Sequence, residues 1–126
     1  MANDESGATA SGNSDERHLW IVFTNSEPGR DDEFNAWYDQ HHVKEILSVP
    51  GILSGQRLVL HPDQRPGQAS PPWRYAVLYE SVGDLPAIHR DLKEASPGFV
   101  KSDALSKDSV AWVFSYLGER IEQPAD

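Results

Sequence analysis

Two adjacent histidines, His41 and His42, carry the strongest indication of chemistry in this 126-residue chain. Tyr38 precedes His42 by four residues and Glu45 follows His41 by four, so each pair can touch along one face of a helix. A phenol or carboxylate beside an imidazole fixes its tautomer and tunes its pKa, as a general acid or base near neutral pH requires. We therefore predict a catalytic cluster. The alternative is that one histidine is an ordinary core residue and the other packs against Trp37.

The helix that carries this cluster is predicted over residues 31–49, where apolar residues recur three and four positions apart before a Pro-Gly pair ends the pattern. At about 100° per residue, His41, His42 and Glu45 project on the same side as Phe34, toward the core. An unpartnered buried polar group costs about 1–3 kcal/mol, so three such groups must pair or line a cavity. The pattern predicts that the helix presents them to a pocket.

Four strand-like runs and a second helical pattern surround this helix. The strand runs are rich in β-branched and aromatic residues, and Asp84 can cap the second helix, which ends near Ser96. The order β-α-β-β-α-β is that of the ferredoxin-like α+β unit, a four-stranded antiparallel sheet with two helices on one face. The predicted strands are residues 18–25, 52–61, 73–81 and 110–117, with residues 99–108 left as a loop or short turn.

The chain divides into one domain and two tails. Residues 1–17 contain no aromatic residue and are rich in Gly, Ser, Asn and Asp, so they are predicted to form a disordered tail. Residues 18–122 form the predicted ferredoxin-like domain, and residues 123–126 a flexible C-terminus.

Apolar residues occupy both faces of the predicted strands. In the last strand, Val110, Trp112 and Phe114 would lie on one face, with Ala111 and Val113 on the other. Because two helices cover only one face of a four-stranded sheet, the other face needs a partner, and a homodimer is the economical solution. The alternative is that the long loop and the tail cover this face.

Charge and composition exclude several classes of function. The net charge of −9 repels phosphate backbones and anionic lipids, and no apolar run approaches the roughly 20 residues of a membrane helix. We expect neither a nucleic-acid nor a membrane partner. The chain has no cysteine, which removes thiolate chemistry and disulfides and favours a cytoplasmic location.

No cofactor or metal is predicted. His41 and His42 diverge by about 100° on a helix and make a poor chelating pair, and no phosphate loop or nucleophile elbow is present. Arg57 lies inside an apolar strand, where it either extends to solvent or presents its guanidinium to an anion in a pocket. The aromatic residues suit a flat apolar ligand, although aromatics in strands are more often plain core.

The run FNAWYDQHHVKEILSVPGILSGQRL resembles the signature of the EthD-like proteins of the dimeric α+β barrel superfamily. The matching residues are Trp37, Tyr38, His42, Pro50, Gly51 and Arg57. The resemblance implies a cofactor-free pocket between the first helix and the sheet, in which a histidine handles a proton. It also implies a fold shared with muconolactone isomerases, small polyketide cyclases, cofactor-free monooxygenases and some haem-binding proteins. The second histidine, His41, and Lys44, where related sequences often have proline, depart from the pattern.

These observations predict a cofactor-independent enzyme that uses histidine acid/base chemistry on a small cyclic or aromatic metabolite, as an isomerase, cyclase, dehydratase or lyase. A haem-binding or cofactor-free monooxygenase-type protein and a non-catalytic small-molecule-binding accessory protein are the alternatives. The predicted catalytic residues are His42, His41, Tyr38 and Glu45. The predicted substrate-binding residues are Trp37, Arg57, Phe34 and Tyr79.

Overall fold

A computed structural model describes residues 15–125 as a four-stranded antiparallel sheet with its helices on one face. The strand order is β2-β3-β1-β4, so β1 and β3 are central and β2 and β4 are the free edges. This is the ferredoxin-like α+β fold that the sequence predicts. The strands are β1 (Arg17–Thr24), β2 (Ile52–Val59), β3 (Tyr75–Val82) and β4 (Val110–Ser115).

The structure describes only part of each of the two predicted tails. Residues 1–14 and Asp126 lie outside the described residues. β1 begins one residue earlier than predicted, at Arg17, and the carbonyl of Glu16 accepts a hydrogen bond from the backbone N–H of Gly83. The last strand ends at Ser115, two residues earlier than predicted.

The predicted uninterrupted α-helix over residues 31–49 is wrong in one respect. The structure forms α1 (Asp31–Trp37), a π-helical turn (Tyr38–His42) and α2 (Val43–Leu47), which together make up the first helix. A π turn holds about one residue more than an α turn, so each later residue is set back by roughly 100°. This rotation directs Val43 onto the core and leaves His41 exposed to solvent.

The second predicted helix is confirmed as α3 (Leu85–Ala95), and a short 3-10 turn follows it. Asp84 is the N-cap, and its side chain accepts a hydrogen bond from the backbone N–H of Ala87. Residues 99–109 form a loop that an isolated bridge between Ser26 and Leu105 ties to the body. This loop packs beside the first helix and becomes part of the candidate site.

The hydrophobic core lies between the first helix, α3 and one face of the sheet. Phe34 and Val77 are completely buried at its centre. Alternate residues of β3 point into it, because successive side chains of a strand point to opposite faces. The other buried apolar residues are Trp20, Trp37, Tyr38, Val49, Ile52, Tyr75, Tyr79, Ile88 and Ala104.

The opposite sheet face carries apolar side chains that no helix covers. The register aligns Ile21 of β1 with Leu78 of β3 and Trp112 of β4, and aligns Leu19 with Phe114. Trp112 is 59% exposed and Phe114 is 51% exposed. We call this surface the open sheet face, and define it by Leu19, Ile21, Phe23, Ala76, Leu78, Val110, Trp112 and Phe114. Both faces of the sheet are therefore apolar, as the strand pattern predicts.

Gly55 of β2 lies where the first helix packs against the sheet. A Cβ atom on this residue would stand 2.8 Å from Cε1 of Tyr79 and 3.2 Å from Cγ1 of Val43. Because both neighbours are packed in the core, Gly55→Ala is expected to lower the free energy of unfolding by about 1–3 kcal/mol, measured by urea denaturation.

Gly98→Ala is the matched control for this prediction. A Cβ atom at Gly98 would meet nothing within 4 Å. We therefore expect a change of no more than about 0.5 kcal/mol. Equal effects of the two substitutions would contradict the close approach at Gly55.

Candidate functional site

The His42 side chain packs among aromatic rings on the side of the first helix that faces the 99–109 loop. Its ring stacks on Trp37 with the centroids 4.7 Å apart, and it meets the Tyr38 ring edge-on at 5.1 Å. The Phe99 ring lies 6.2 Å away. Nδ1 of His42 is buried and has no hydrogen-bond partner among the described residues. The site therefore contains an unsatisfied imidazole in largely apolar surroundings.

A pocket of about 190 Å³ opens beside this ring, between the first helix and residues 96–105. Trp37 and Phe99 give it aromatic walls, and Lys101 and Ser102 add polar groups. We call it the His42 pocket. The resemblance implies a pocket between the first helix and the sheet, whereas the His42 pocket lies on the loop side of this helix. The π turn explains the difference, because it sets His42 back beside Trp37.

Glu45 fixes the loop against the first helix. Its Oε2 accepts a hydrogen bond of 2.8 Å from the backbone N–H of Val100, while its Oε1 is buried without a partner among the described residues. The carboxylate also lies within electrostatic range of His42. It therefore holds one wall of the His42 pocket and can stabilise positive charge on the imidazole.

The environment lowers the pKa of His42 below its ordinary value of 6.5, mainly because burial penalises the charged ring. The ammonium group of Lys101 lowers the pKa further, and Glu45 opposes the shift. The net effect favours a neutral imidazole at pH 7. A neutral imidazole can accept a proton from a ligand in the pocket.

Tyr38 touches His42 through its ring and not through its hydroxyl. The hydroxyl faces the sheet, near Thr24 and the Arg57 guanidinium, and burial raises the pKa of Tyr38. The predicted pairing of the Tyr38 phenol with His42 is therefore not formed. The Tyr38 ring instead lies between the His42 ring and the Arg57 guanidinium.

Arg57 lies on the sheet side of the first helix. Its guanidinium carbon is 4.6 Å from the Tyr38 ring centroid and 5.3 Å from that of Phe34, and its Nη1 donates to Asp39 at 3.2 Å. A groove of about 340 Å³ runs past it along the edge strand β2. We call this the Arg57 groove, lined by Asn35, Asp39, Arg57, Leu58, Val59 and Tyr75.

The structure thus brings five of the eight predicted site residues together in two places. His42, Glu45 and Trp37 meet at the His42 pocket, while Arg57 and Phe34 meet beneath the first helix. Three further residues do not reach the His42 pocket with their polar groups. Tyr38 directs its hydroxyl to the sheet, Tyr79 has a buried hydroxyl without a partner among the described residues, and His41 is exposed.

Sequence reasoning missed Phe99, Lys101 and Ser102 as pocket residues. They belong to the segment that the sequence leaves as a loop or short turn, and no motif marks them. Their proximity to His42 comes from the packing of the loop, which a local pattern does not report. Only the Ser-Pro-Gly turn after α3, at residues 96–98, indicates that the chain changes direction here.

Among residues 15–125, no group of three or more His, Asp or Glu side chains is arranged to hold a metal ion. Within that range no helix is both long enough and apolar enough to cross a bilayer. The cytoplasmic location remains a prediction.

Comparison with known proteins supports the fold. No family model and no curated protein matches the chain, so the EthD-like resemblance remains a prediction. HapK from Hahella chejuensis has a similar structure, with a TM-score of 0.52 and 13% identity over 85% of this chain and 99% of HapK. A "putative monooxygenase" from Shewanella loihica PV-4 gives a TM-score of 0.51 and 12% identity over 86% and 100% of the two chains. At these identities the similarity shows the ferredoxin-like fold alone.

Proposed function

We propose that the protein is a cofactor-independent enzyme in which His42 transfers a proton to and from a small cyclic or aromatic substrate. One observation carries this proposal. A half-buried imidazole, with a lowered pKa and an unpartnered Nδ1, lines a pocket large enough for a ligand. Groups with perturbed pKa values in clefts are candidates for acid/base catalysis, and π turns occur frequently at functional sites.

The proton step uses groups that line or adjoin the His42 pocket. Neutral His42 removes a proton from carbon next to a substrate carbonyl, and the electron pair of the broken C–H bond moves into an enolate. The Lys101 ammonium can stabilise the enolate oxygen, and Glu45 the imidazolium. Return of the proton to another carbon completes an isomerisation, whereas loss of a β-substituent completes a dehydration or lyase reaction.

The size of the pocket favours a substrate with one substituted ring. An apolar protein cavity of about 150 Å³ holds benzene, and the His42 pocket measures about 190 Å³. Its Trp37 and Phe99 walls suit a flat ring, and Lys101 suits an oxygen substituent. A haem macrocycle is much larger than this space, so the volume favours the small-ring substrate over the haem-binding alternative.

The pKa shift of His42 predicts an acidic limb in the activity profile. A general base must be neutral, so kcat/KM is expected to fall as pH drops through the His42 pKa, with an apparent pKa below 6.5. Stability should follow the same direction. Because unfolded His42 binds protons more readily than the folded form, stability is present above about pH 6.5 and decreases as pH falls below it.

Rates measured between pH 4.5 and 8 test this prediction, with folding followed in parallel by circular dichroism. An apparent pKa above 6.5, or a rate that rises toward acid, would contradict the role of a neutral base. His41→Gln is the control, because it removes an exposed imidazole from outside the pocket. We expect this variant to keep the acidic limb of the kcat/KM profile.

Hydrogen–deuterium exchange tests the proton transfer without knowledge of the natural substrate. Single-ring ketones such as cyclohexanone and acetophenone are incubated with the protein in D₂O, and loss of the C–H signal beside the carbonyl is followed by ¹H NMR. Protein-dependent exchange that phenol inhibits supports the proposal. Exchange no faster than that of buffer, for every ketone that binds, would overturn it.

The description of the Shewanella protein raises a second candidate, a cofactor-free monooxygenase. The same base could deprotonate an electron-rich phenol, whose anion would add O₂ at a ring carbon to form a peroxide. Loss of water from the peroxide would leave one oxygen atom on the ring as a quinone carbonyl. Oxygen consumption with a single-ring phenol, followed by an oxygen electrode, separates this reaction from isomerisation, which consumes none.

We also propose that the protein is a homodimer joined through the open sheet face. Contiguous exposed apolar surface of this kind commonly marks an interaction site, and Trp112 and Phe114, on the edge strand β4, are more than half exposed on it. Leu117 and Ile121, after β4, are almost completely exposed as well. A two-fold axis would let one self-complementary surface cover its counterpart.

A further inference from the structure

The Arg57 guanidinium is an unusually enclosed charge on the surface of this chain. Its side chain is 17% exposed, and its guanidinium carbon lies within 6 Å of the ring centroids of Tyr38, Phe34 and Tyr75. Cation–π contacts of this kind stabilise a partly desolvated guanidinium. The three rings also hold the group in one place, so that its donors point in fixed directions.

The Arg57 guanidinium has more N–H donors than hydrogen-bond acceptors among the described residues. Nη1 donates to Oδ1 of Asp39, whose side chain is 63% exposed, and Nε is buried with no partner among the described residues. A guanidinium carries five N–H donors, and a partly buried charge is costly unless it is well paired. Because Asp39 is exposed and makes one contact, a second carboxylate can replace it at little cost.

The space beside Arg57 suits such an anion with an apolar body. The Arg57 groove measures about 340 Å³, and the exposed side chain of Val59 lies along it, on the same sheet face as Arg57. We propose that this groove binds a small monocarboxylate with an aromatic or aliphatic body, whose carboxylate takes the place of Asp39 on Arg57. The planar fork of arginine matches a carboxylate, and the Val59 side chain, on the same sheet face as Arg57, would cover the body of the ligand.

The surrounding charges favour a monoanion over a phosphate. Asp31 lies against Tyr75 on the same side of the first helix, and Asp39 lines the groove. The chain as a whole carries a net charge of −9. A dianionic phosphate would meet about twice the repulsion from these carboxylates that a monocarboxylate meets.

This site is separate from the His42 pocket, and its assignment does not rest on the proposed reaction. The two share no lining residue. Tyr38 lies between them, with its ring against both His42 and the Arg57 guanidinium. Occupancy of the groove is therefore measurable whether or not the protein catalyses a proton transfer.

Benzoate titrated against ¹⁵N-labelled protein tests the assignment by NMR chemical-shift changes. Asp39→Asn removes the internal competitor, so benzoate is expected to bind about fivefold more tightly, which corresponds to about 1 kcal/mol. Arg57→Met should weaken binding by about tenfold or more. Arg90→Met, which removes an exposed cation elsewhere, should leave the affinity unchanged.

Three outcomes would overturn the proposal: unchanged or weaker binding in Asp39→Asn, equal binding in Arg57→Met and the parent protein, or a preference for inorganic phosphate over benzoate. Asp39 is exposed, so its variant remains informative even where Arg57→Met fails to fold. Failure here leaves the exchange assay of the His42 pocket unaffected, and the converse also holds.

Discussion

His42→Gln is expected to lower kcat/KM for exchange of the best ring ketone by about 10²–10⁴-fold, the usual contribution of a positioned general base. Glutamine keeps a planar polar group beside Trp37 but cannot take up a proton near neutral pH. The loss should appear mainly in kcat, because the aromatic walls and Lys101 that hold the ring remain. Exchange rates under saturating and limiting ketone measure the two constants.

His41→Gln is the matched control, since it makes the same substitution at the neighbouring residue. His41 is exposed, so we expect its variant to stay within about twofold of the parent. Thermal melts of both variants check that the fold persists. A large loss in His41→Gln with none in His42→Gln would reverse the assignment.

Trp112→Glu is expected to convert the proposed dimer into monomers of 14.0 kDa. Trp112 lies on β4 opposite Ile21, so a dimer joined through the open sheet face would bury the new carboxylate among apolar groups. Burial of an unpaired charge costs several kcal/mol, and a cost of about 3 kcal/mol already weakens association more than a hundredfold. Sedimentation velocity across a concentration series measures the change.

Ala36→Glu introduces the same charge on the exposed side of α1 and should leave the sedimentation coefficient unchanged. Trp112 is already more than half exposed in the single chain, so its loss should cost the isolated fold little. A dimer that survives Trp112→Glu would exclude the open sheet face as the interface. A parent protein that sediments as a monomer would exclude the dimer itself.

The sheet could be predicted from the sequence because its patterns are local. The β-branched and aromatic runs, the turn residues between them and the Asp84 cap each report on a few neighbouring residues. The apolar pattern on both faces of β4 also predicts the open sheet face, because strand periodicity depends only on the alternation of side chains. The observed strand ends differ from the predicted ends by one or two residues, because a local pattern does not fix where a strand frays or turns.

The site could be predicted only in part, and the π turn is the main reason. A regular helical projection places His41 and His42 together on the core side, but one additional residue in the turn rotates everything that follows. His42 therefore stacks on Trp37, His41 faces solvent, and Val43 packs on the core. Nothing in the run YDQHH marks a π turn, so periodicity alone misassigns these side chains.

The remaining part of the site depends on tertiary packing. Lys101 and Phe99 reach His42 because Glu45 binds the backbone of Val100, a contact across 55 residues of sequence. The separation of Arg57 from His42 likewise results from the thickness of the helix between them. Residue identities predicted an imidazole and a guanidinium at a site, whereas the structure assigns them to opposite sides of one helix.

A crystal structure of the protein with a bound ring ligand tests the central claim most directly. Crystals would be soaked with a panel of small ring ketones, phenols and lactones. The account predicts a ring between Trp37 and Phe99, with an oxygen or acidic carbon within reach of the His42 imidazole. A His42 pocket that stays unoccupied while ligands bind only elsewhere would contradict the account.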